Sequence, residues 1–303
     1  MRANIIMEQG DLYMDMEYYQ YFQMAAAVII LGIVYWRMVK RATSNVSVWR
    51  ATVPVGFGVA SVNVSFYVFL GLAILIGQSG LPDFMSQFGP WVKALWRSMV
   101  LAGIPEELTK LTFLLLALFL FRSQIKNVYD YILAGAAVGF GFTIFEEYLY
   151  GSDNNLGTIM RLVTIAAHMI FGIIMGKHLG LSKHIKLAST NPAPSVAASG
   201  ETGAAGEIVA AGTEAGAGAG AKGKGWVKEI VLAIVLPILF HSAYNMLTAN
   251  NPLIDIENDD SLILAFAVAG VAMLVMCIAQ IVILIRLKKN AEKYCSMSVV
   301  KEE

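Results

Sequence analysis

A chain of 303 residues that is 57% hydrophobic and only 15% charged falls well short of the roughly one-quarter charged residues of a soluble domain, which excludes a water-soluble globule. Lys plus Arg and Asp plus Glu number 22 each, and a net charge of zero carries no nucleic-acid signature. The two cysteines, Cys277 in an apolar run and Cys295 in a polar tail, do not read as a disulfide.

The fold class that remains is all-α, a polytopic transmembrane bundle. Seven stretches approach the ~20 apolar residues that a bilayer crossing needs: Tyr21–Val39, Val53–Gly77, Trp96–Phe121, Tyr129–Tyr150, Ile159–Leu181, Ile230–Ala249 and Ser261–Leu287. Glu8, Asp11, Asp15 and Glu17 precede the first, the wrong sign for a secretory leader, so that first run is expected to be a retained helix. The aromatic and Met-rich residues before it suit the membrane interface. The third and fourth spans are the weakest by hydropathy because they contain carboxylates.

The loops alternate in charge. Arg37, Lys40, Arg41 and Arg50 follow the first span, Arg122 and Lys126 the third, six lysines fill the connection from the fifth to the sixth, and Arg286, Lys288, Lys289 and Lys293 follow the seventh. The opposite loops hold Asp83, Asp153, Asp255, Glu257, Asp259 and Asp260. The positive-inside rule then predicts the N-terminus outside, the C-terminus in the cytoplasm and a cell-membrane location. Residues 189–225 are rich in Ala, Gly, Ser and Pro and are expected to be a flexible cytoplasmic linker, dividing a bundle of residues 1–188 from residues 226–303 of the same domain.

Four polar clusters interrupt the apolar spans: Glu106, Glu107 and Lys110 in the third, Glu146 and Glu147 in the fourth, His168 in the fifth, and His241 with Asn245 in the sixth. Ionisable groups cost at least about 2.5–3.5 kcal/mol each at the centre of a bilayer, so they mark function by default. At about 1.5 Å rise per residue the four clusters lie at a shared depth, roughly 6–15 Å below the outer surface. A bundle can therefore gather them at one site. Glu106 and Lys110 are spaced i,i+4, as are His241 and Asn245. Gly135 and Gly139, and Gly172, Gly176 and Gly180, form small-residue faces that permit close helix packing. Taken singly, each polar residue also has a bland reading: Glu107–Lys110 as a neutralised pair, His168 as a packing residue, Glu147 facing water near the interface, His178 and His184 solvated at the cytoplasmic end.

At these residues the chain resembles the PrsW family of intramembrane metalloproteases, relatives of the type II CAAX prenyl endopeptidases. The resemblance rests on four motifs in order: Glu106-Glu107-Leu108-Thr109-Lys110, Phe142 to Glu146, His168 ahead of Gly172, and His241 to Asn245. It covers roughly residues 104–250, with Tyr129-Asp130 similar too. At Glu147 the relatives often carry Asn. The resemblance implies an endopeptidase that cleaves single-pass membrane proteins near the outer face. In the logic of zinc hydrolases, Glu146, His168 and His241 are the expected Zn2+ ligands, leaving an open position for water. Glu106 is the first choice of general base and Glu107 the second, with Lys110 neutralising the pair and Asn245 donating to the oxyanion. A different division has Glu106 or Glu107 as a ligand in place of His168, and a metal-free, glutamate-driven hydrolysis is the third. The rival functions are an inactive scaffold that binds membrane helices, a CAAX-type prenyl endopeptidase, and a proton-coupled transporter. The last would usually carry an internal repeat, and none is apparent.

Overall fold

The computed structural model of this chain describes residues 3–150, 155–190, 225–252 and 259–300. Helix α1 spans Ala3–Val39 and α2 Val48–Gly77, followed by the short α3 (Leu81–Ser86) and α4 (Pro90–Ser98). A π-helical segment, Met99–Gly103, joins α4 to α5 (Ile104–Leu120). Then come α6 (Val128–Tyr150), α7 (Asn155–Thr164), α8 (Ala167–Thr190), α9 (Gly225–Leu247) and α10 (Asp259–Ser296). The described residues are helical throughout apart from turns and one isolated bridge, Asn127 to Ser298. All of the expected linker but Ser189, Thr190 and Gly225 lies outside the described residues.

Among the described residues, six helical stretches are long and apolar enough to cross a membrane: Tyr18–Val39, Val48–Gly77, Val128–Leu149, Thr158–Thr190, Gly225–Leu247 and Ile263–Ser296. The third expected span is not one of them. Its place is taken by the run of α4, π segment and α5, whose hydropathy Arg97, Glu106, Glu107 and Lys110 depress. The fifth expected span is also not one straight helix. It breaks at Ile165–Ala166 between α7 and α8, where the Ala166 N–H donates to the Gln280 side chain of α10 at 3.1 Å. A side chain that competes for a backbone donor in this way is a recognised cause of a kink.

Two helices form the interior. In α6 and α8, 78% and 67% of the apolar window is buried, against 17–28% in the other four. Their contact is set by glycine: a Cβ on Gly135 would stand 2.0 Å from the Gly172 carbonyl oxygen, and one on Gly139 2.2 Å from that of His168. Backbones this close leave room for hydrogen alone, which is what the glycine faces in the sequence predicted. The same contact holds the first turn of α8, and with it His168, against α6. Helix α9 packs on α8, α4 and the π segment.

At the opposite end of α6 a capping box starts the helix. Asn127 Oδ1 accepts the Asp130 N–H at 3.0 Å, and Asp130 Oδ2 accepts the N–H of Asn127 at 3.2 Å and of Lys126 at 2.7 Å. Asp130 Oδ1 accepts from Ser44 Oγ at 2.5 Å and pairs with Arg50 of α2. Arg50 thus serves as a buried tie between α2 and the start of α6, in addition to its part in the loop-charge pattern. The chain's end pairs with the same loop, Val128 N–H donating to the Met297 carbonyl and Val299 N–H to that of Lys126, each at 3.0 Å.

Candidate active site

Three features of local sequence aim the first motif. The π segment widens the helix, Ile104 N–H bonding back to Met99 rather than to residue 100. Gly103 lets this turn close on α9, since a Cβ there would stand 2.2 Å from Ser242 Oγ. Pro105, without an N–H, then starts the regular turns of α5, and Glu106 and Glu107 occupy the first of these. In α9, Pro237 sits one turn before His241.

Lys110 is the hub. Fully buried, its Nζ lies 2.7 Å from Glu107 Oε1, 2.7 Å from His168 Nδ1 and 3.6 Å above the Phe142 ring. Glu106 Oε2 is more distant, at 3.7 Å, so the i,i+3 partner is the close one and the i,i+4 partner secondary. The hydrogen-bond network assigns both imidazoles. An ammonium only donates, so His168 Nδ1 accepts, and its proton sits on Nε2, which donates to Glu146 Oε2 at 2.5 Å. A carboxylate only accepts, so His241 Nδ1 donates to Glu107 Oε1 at 2.7 Å. The other ring nitrogen, Nε2, lies 3.8 Å from Glu106 Oε2. Phe171 stacks on His241 and Phe142 packs on His168, which fixes the ring planes.

Two cavities meet here. One, of about 240 Å³, is bordered by Glu146, His168, Arg161, Thr164, His241 and Asn245. The other, of about 320 Å³, lies between α2, the π segment and α6. The structure therefore brings Glu106, Glu107, Lys110, Glu146, His168 and His241 into one contact network, with Asn245 on the cavity wall.

Arg161 of α7 was not singled out in the sequence. It forks onto Glu147, Nε to Oε2 at 2.8 Å and Nη2 to Oε1 at 3.1 Å, and reaches Glu146 at 3.6 Å. Glu147 is consequently buried and paired rather than turned to water. The available signal was a lone cation just inside the fifth apolar span. The expectation of a solvated His178 is also corrected: it is buried, with Nδ1 2.5 Å from Glu229 Oε2 of α9. His184 is tied by Nδ1 to the Ser298 carbonyl at 2.7 Å.

The site fits a divalent metal on three counts. Glu106 Oε2 and Glu107 Oε2 are buried with no hydrogen-bond partner, a costly state for carboxylate oxygens. Four carboxylates, Glu106, Glu107, Glu146 and Glu147, face two fixed cations, Lys110 and Arg161, leaving a formal surplus of two negative charges. Ligand atoms of Glu106, Glu107, His168 and His241 lie within 4.8 Å of one another, with the expected ligand Glu146 joined to that group through His168 Nε2 rather than a member of it, and imidazole with carboxylate is a donor set that zinc accepts.

A membrane-spanning helical bundle with a buried Glu–Lys–His centre opening on two cavities belongs to the class of multi-pass membrane proteins built around a hydrolase-like carboxylate and histidine site. Residues 51–206, more than half of the chain, match the family model described as PrsW family intramembrane metalloprotease, and the chain belongs to that family. Over 98 residues it is 31% identical to "Protease PrsW" of Halalkalibacterium halodurans. That stretch is 31% of this chain and 45% of the relative, so it spans less than half of the relative's length. No solved structure matches significantly. The family match contains Glu106, Glu107, Lys110, Glu146 and His168 but ends before His241 and Asn245, which the fold brings to the same site.

Proposed function

We propose that the chain is an intramembrane endopeptidase that hydrolyses peptide bonds of membrane proteins near the outer face of the cell membrane, using a zinc-activated water and Glu106 as base. The observation that carries this reading is Glu106 Oε2, buried without a hydrogen bond and 3.8 Å from His241 Nε2, on the wall of a cavity. Glu146, His168 and His241 would hold the zinc, which when bound polarises a carbonyl and lowers the pKa of water. Glu107 orients His241 through Nδ1, the outer-sphere carboxylate that such ligands commonly have, and Lys110 neutralises Glu107. Glu106 takes a proton from water as the water oxygen adds to the carbonyl carbon. It then hands that proton to the departing nitrogen as the C–N bond breaks. Asn245 donates to the carbonyl oxygen as charge builds there.

A second reading has support in one contact pair: both nitrogens of His168 are already engaged, by Lys110 and by Glu146. In that reading Glu106 activates water without a metal, and His241 and Asn245 carry the oxyanion. Metal analysis of purified protein alongside a cleavage assay separates the two. The zinc reading expects one zinc per chain, loss of metal and of cleavage in His241→Ala and Glu146→Gln, silencing by chelators and recovery with added zinc. Active protein that is metal-free and indifferent to chelators selects the glutamate reading. The outward position of the site is checked by single cysteines at Ser199 and Asn258, which should label from opposite sides of the membrane.

A further inference from the structure

Among the described residues, Glu106 and Glu146 alone line both cavities. The cavities differ in chemistry. The smaller is walled by Arg161, Glu147, Thr164, Asn245 and Thr248, a lining that suits water. The larger is walled by Val62, Phe66, Phe69, Leu101, Ala102 and Phe142, with Ser65 as its one hydroxyl. Its shape follows from α2. That helix is pinned to α6 at Gly58, where a Cβ would stand 2.0 Å from the Val138 carbonyl oxygen. One and two turns further on, Val62 and Ser65 are still buried, whereas Phe66 and Phe69 are 44% and 36% exposed. The cleft thus widens from the two carboxylates towards the outer surface of the bundle, beside a helix apolar enough to span the membrane.

Its volume of about 320 Å³ is at the lower end of the ~300–1,000 Å³ of small-ligand pockets. A whole helix, about 10–12 Å across with its side chains, does not enter such a space. A helical peptide bond also presents a carbonyl already engaged by its own i+4 donor. What fits is one large apolar side chain carried by a short unwound stretch.

We propose that the cleft between α2 and the π segment is a side-chain subsite. It takes a Leu- or Phe-like residue of a membrane-embedded substrate segment, unwound next to the scissile bond, while water arrives through the polar cavity on the far side of Glu106 and Glu146. The proposal rests on the hydrolytic reading above. It assigns to that site its substrate class: apolar residues flanking the cut, in a segment presented from the lipid side.

The test uses the full chain in liposomes with Ala-rich single-pass reporters, identical except for one Ala, Leu or Phe moved through the outer half of the transmembrane segment. The cleaved bond, mapped by mass spectrometry, should follow the bulky residue, with Leu and Phe reporters cut about tenfold faster than Ala, as a filled apolar pocket gives. Ala102→Phe and Ser65→Leu each fill the cleft and should lower the Leu-to-Ala rate ratio about tenfold. A ratio unmoved in both variants, or cuts that ignore the bulky residue, overturns the proposal. A second readout needs no hydrolysis. In Glu106→Gln protein lacking Cys277 and Cys295, a cysteine introduced at Ser65 should be alkylated by N-ethylmaleimide more slowly, by about threefold, with the Phe reporter present but not with the Ala reporter. Protection without any cleavage by the wild type leaves the subsite standing and removes the hydrolytic reading. Cleavage without protection removes the subsite and leaves hydrolysis standing. Neither cleavage nor protection removes both.

Discussion

The buried charge clusters around Asp130 and around Lys110 are built to opposite ends. Around Asp130 both carboxylate oxygens accept hydrogen bonds, Oδ1 from Ser44 and Oδ2 from two backbone N–H groups, and Arg50 Nη2, which makes no hydrogen bond of its own, still pairs with Oδ1 as an ion. The space beside it is about 10 Å³, too little for more than about one water. Around Lys110 two carboxylate oxygens are left without hydrogen bonds, and cavities of about 240 and 320 Å³ adjoin them. Both clusters consist of acids and bases inside apolar helices, and hydropathy does not distinguish them. Satisfaction does. A buried carboxylate with both oxygens bonded holds elements together, whereas one with an oxygen left unbonded beside an opening is poised for something that binds.

The sharpest way to break that contrast is to neutralise one acid from each cluster. Glu106→Gln should lower cleavage by at least about 10²-fold, the lower bound for a positioned general base, with metal content and thermal midpoint retained. Asp130→Ala should do the reverse. It strands Arg50 and should cost about 3–5 kcal/mol, seen as a lowered midpoint in detergent, with cleavage per folded molecule unchanged. If Glu106→Gln unfolds the chain and Asp130→Ala does not, the contrast is inverted.

Arg161 lies between these extremes. Its fork on Glu147 is a structural bond, and its reach to Glu146 touches the site. Arg161→Ala should cost about 1–3 kcal/mol by stranding Glu147. Adding Glu147→Gln should recover much of that loss, a coupling readable in a double-mutant cycle. An additive double mutant would show that the fork contributes nothing. The smallest effect is expected at residues 191–224. Replacing them with a Gly/Ser connector of half the length changes loop closure by only about 0.6 kcal/mol, and folded yield in the membrane should be unaltered.

The sequence made the polar clusters visible because bilayer physics leaves so few ionisable residues in apolar spans. Glu106, Glu146, His168 and His241 stood out for that reason, and their shared depth was computable from helix rise. The glycine faces of α6 and α8 were legible as well, since small residues at i,i+4 have few other uses. What stayed hidden depends on contacts between helices. Nothing local says that Lys110 turns to Glu107 and His168 rather than to Glu106. Arg161 falls near the edge of an apolar run, where a cation looks like a boundary marker. The break before His168 is made by Gln280, more than a hundred residues away. The π segment inside the third expected stretch was not legible, because a π turn leaves no periodic trace in five residues.

That π turn makes the site sensitive to counting. Each residue added to or removed from a helix swings everything beyond it by about 100°. Met99–Gly103 spends its extra residue immediately before the glutamates, so their direction is fixed by a tally of amino acids and not by any side chain in the segment. A single-codon deletion there would leave composition, hydropathy and both glutamates intact, yet it would turn Glu106 about a quarter of a revolution from His241. Point substitutions at Met99, Val100 or Leu101 would leave that direction unchanged where an in-frame deletion does not, and the spacing from α4 to Glu106 is a quantity of this protein as strict as the identity of the glutamate itself.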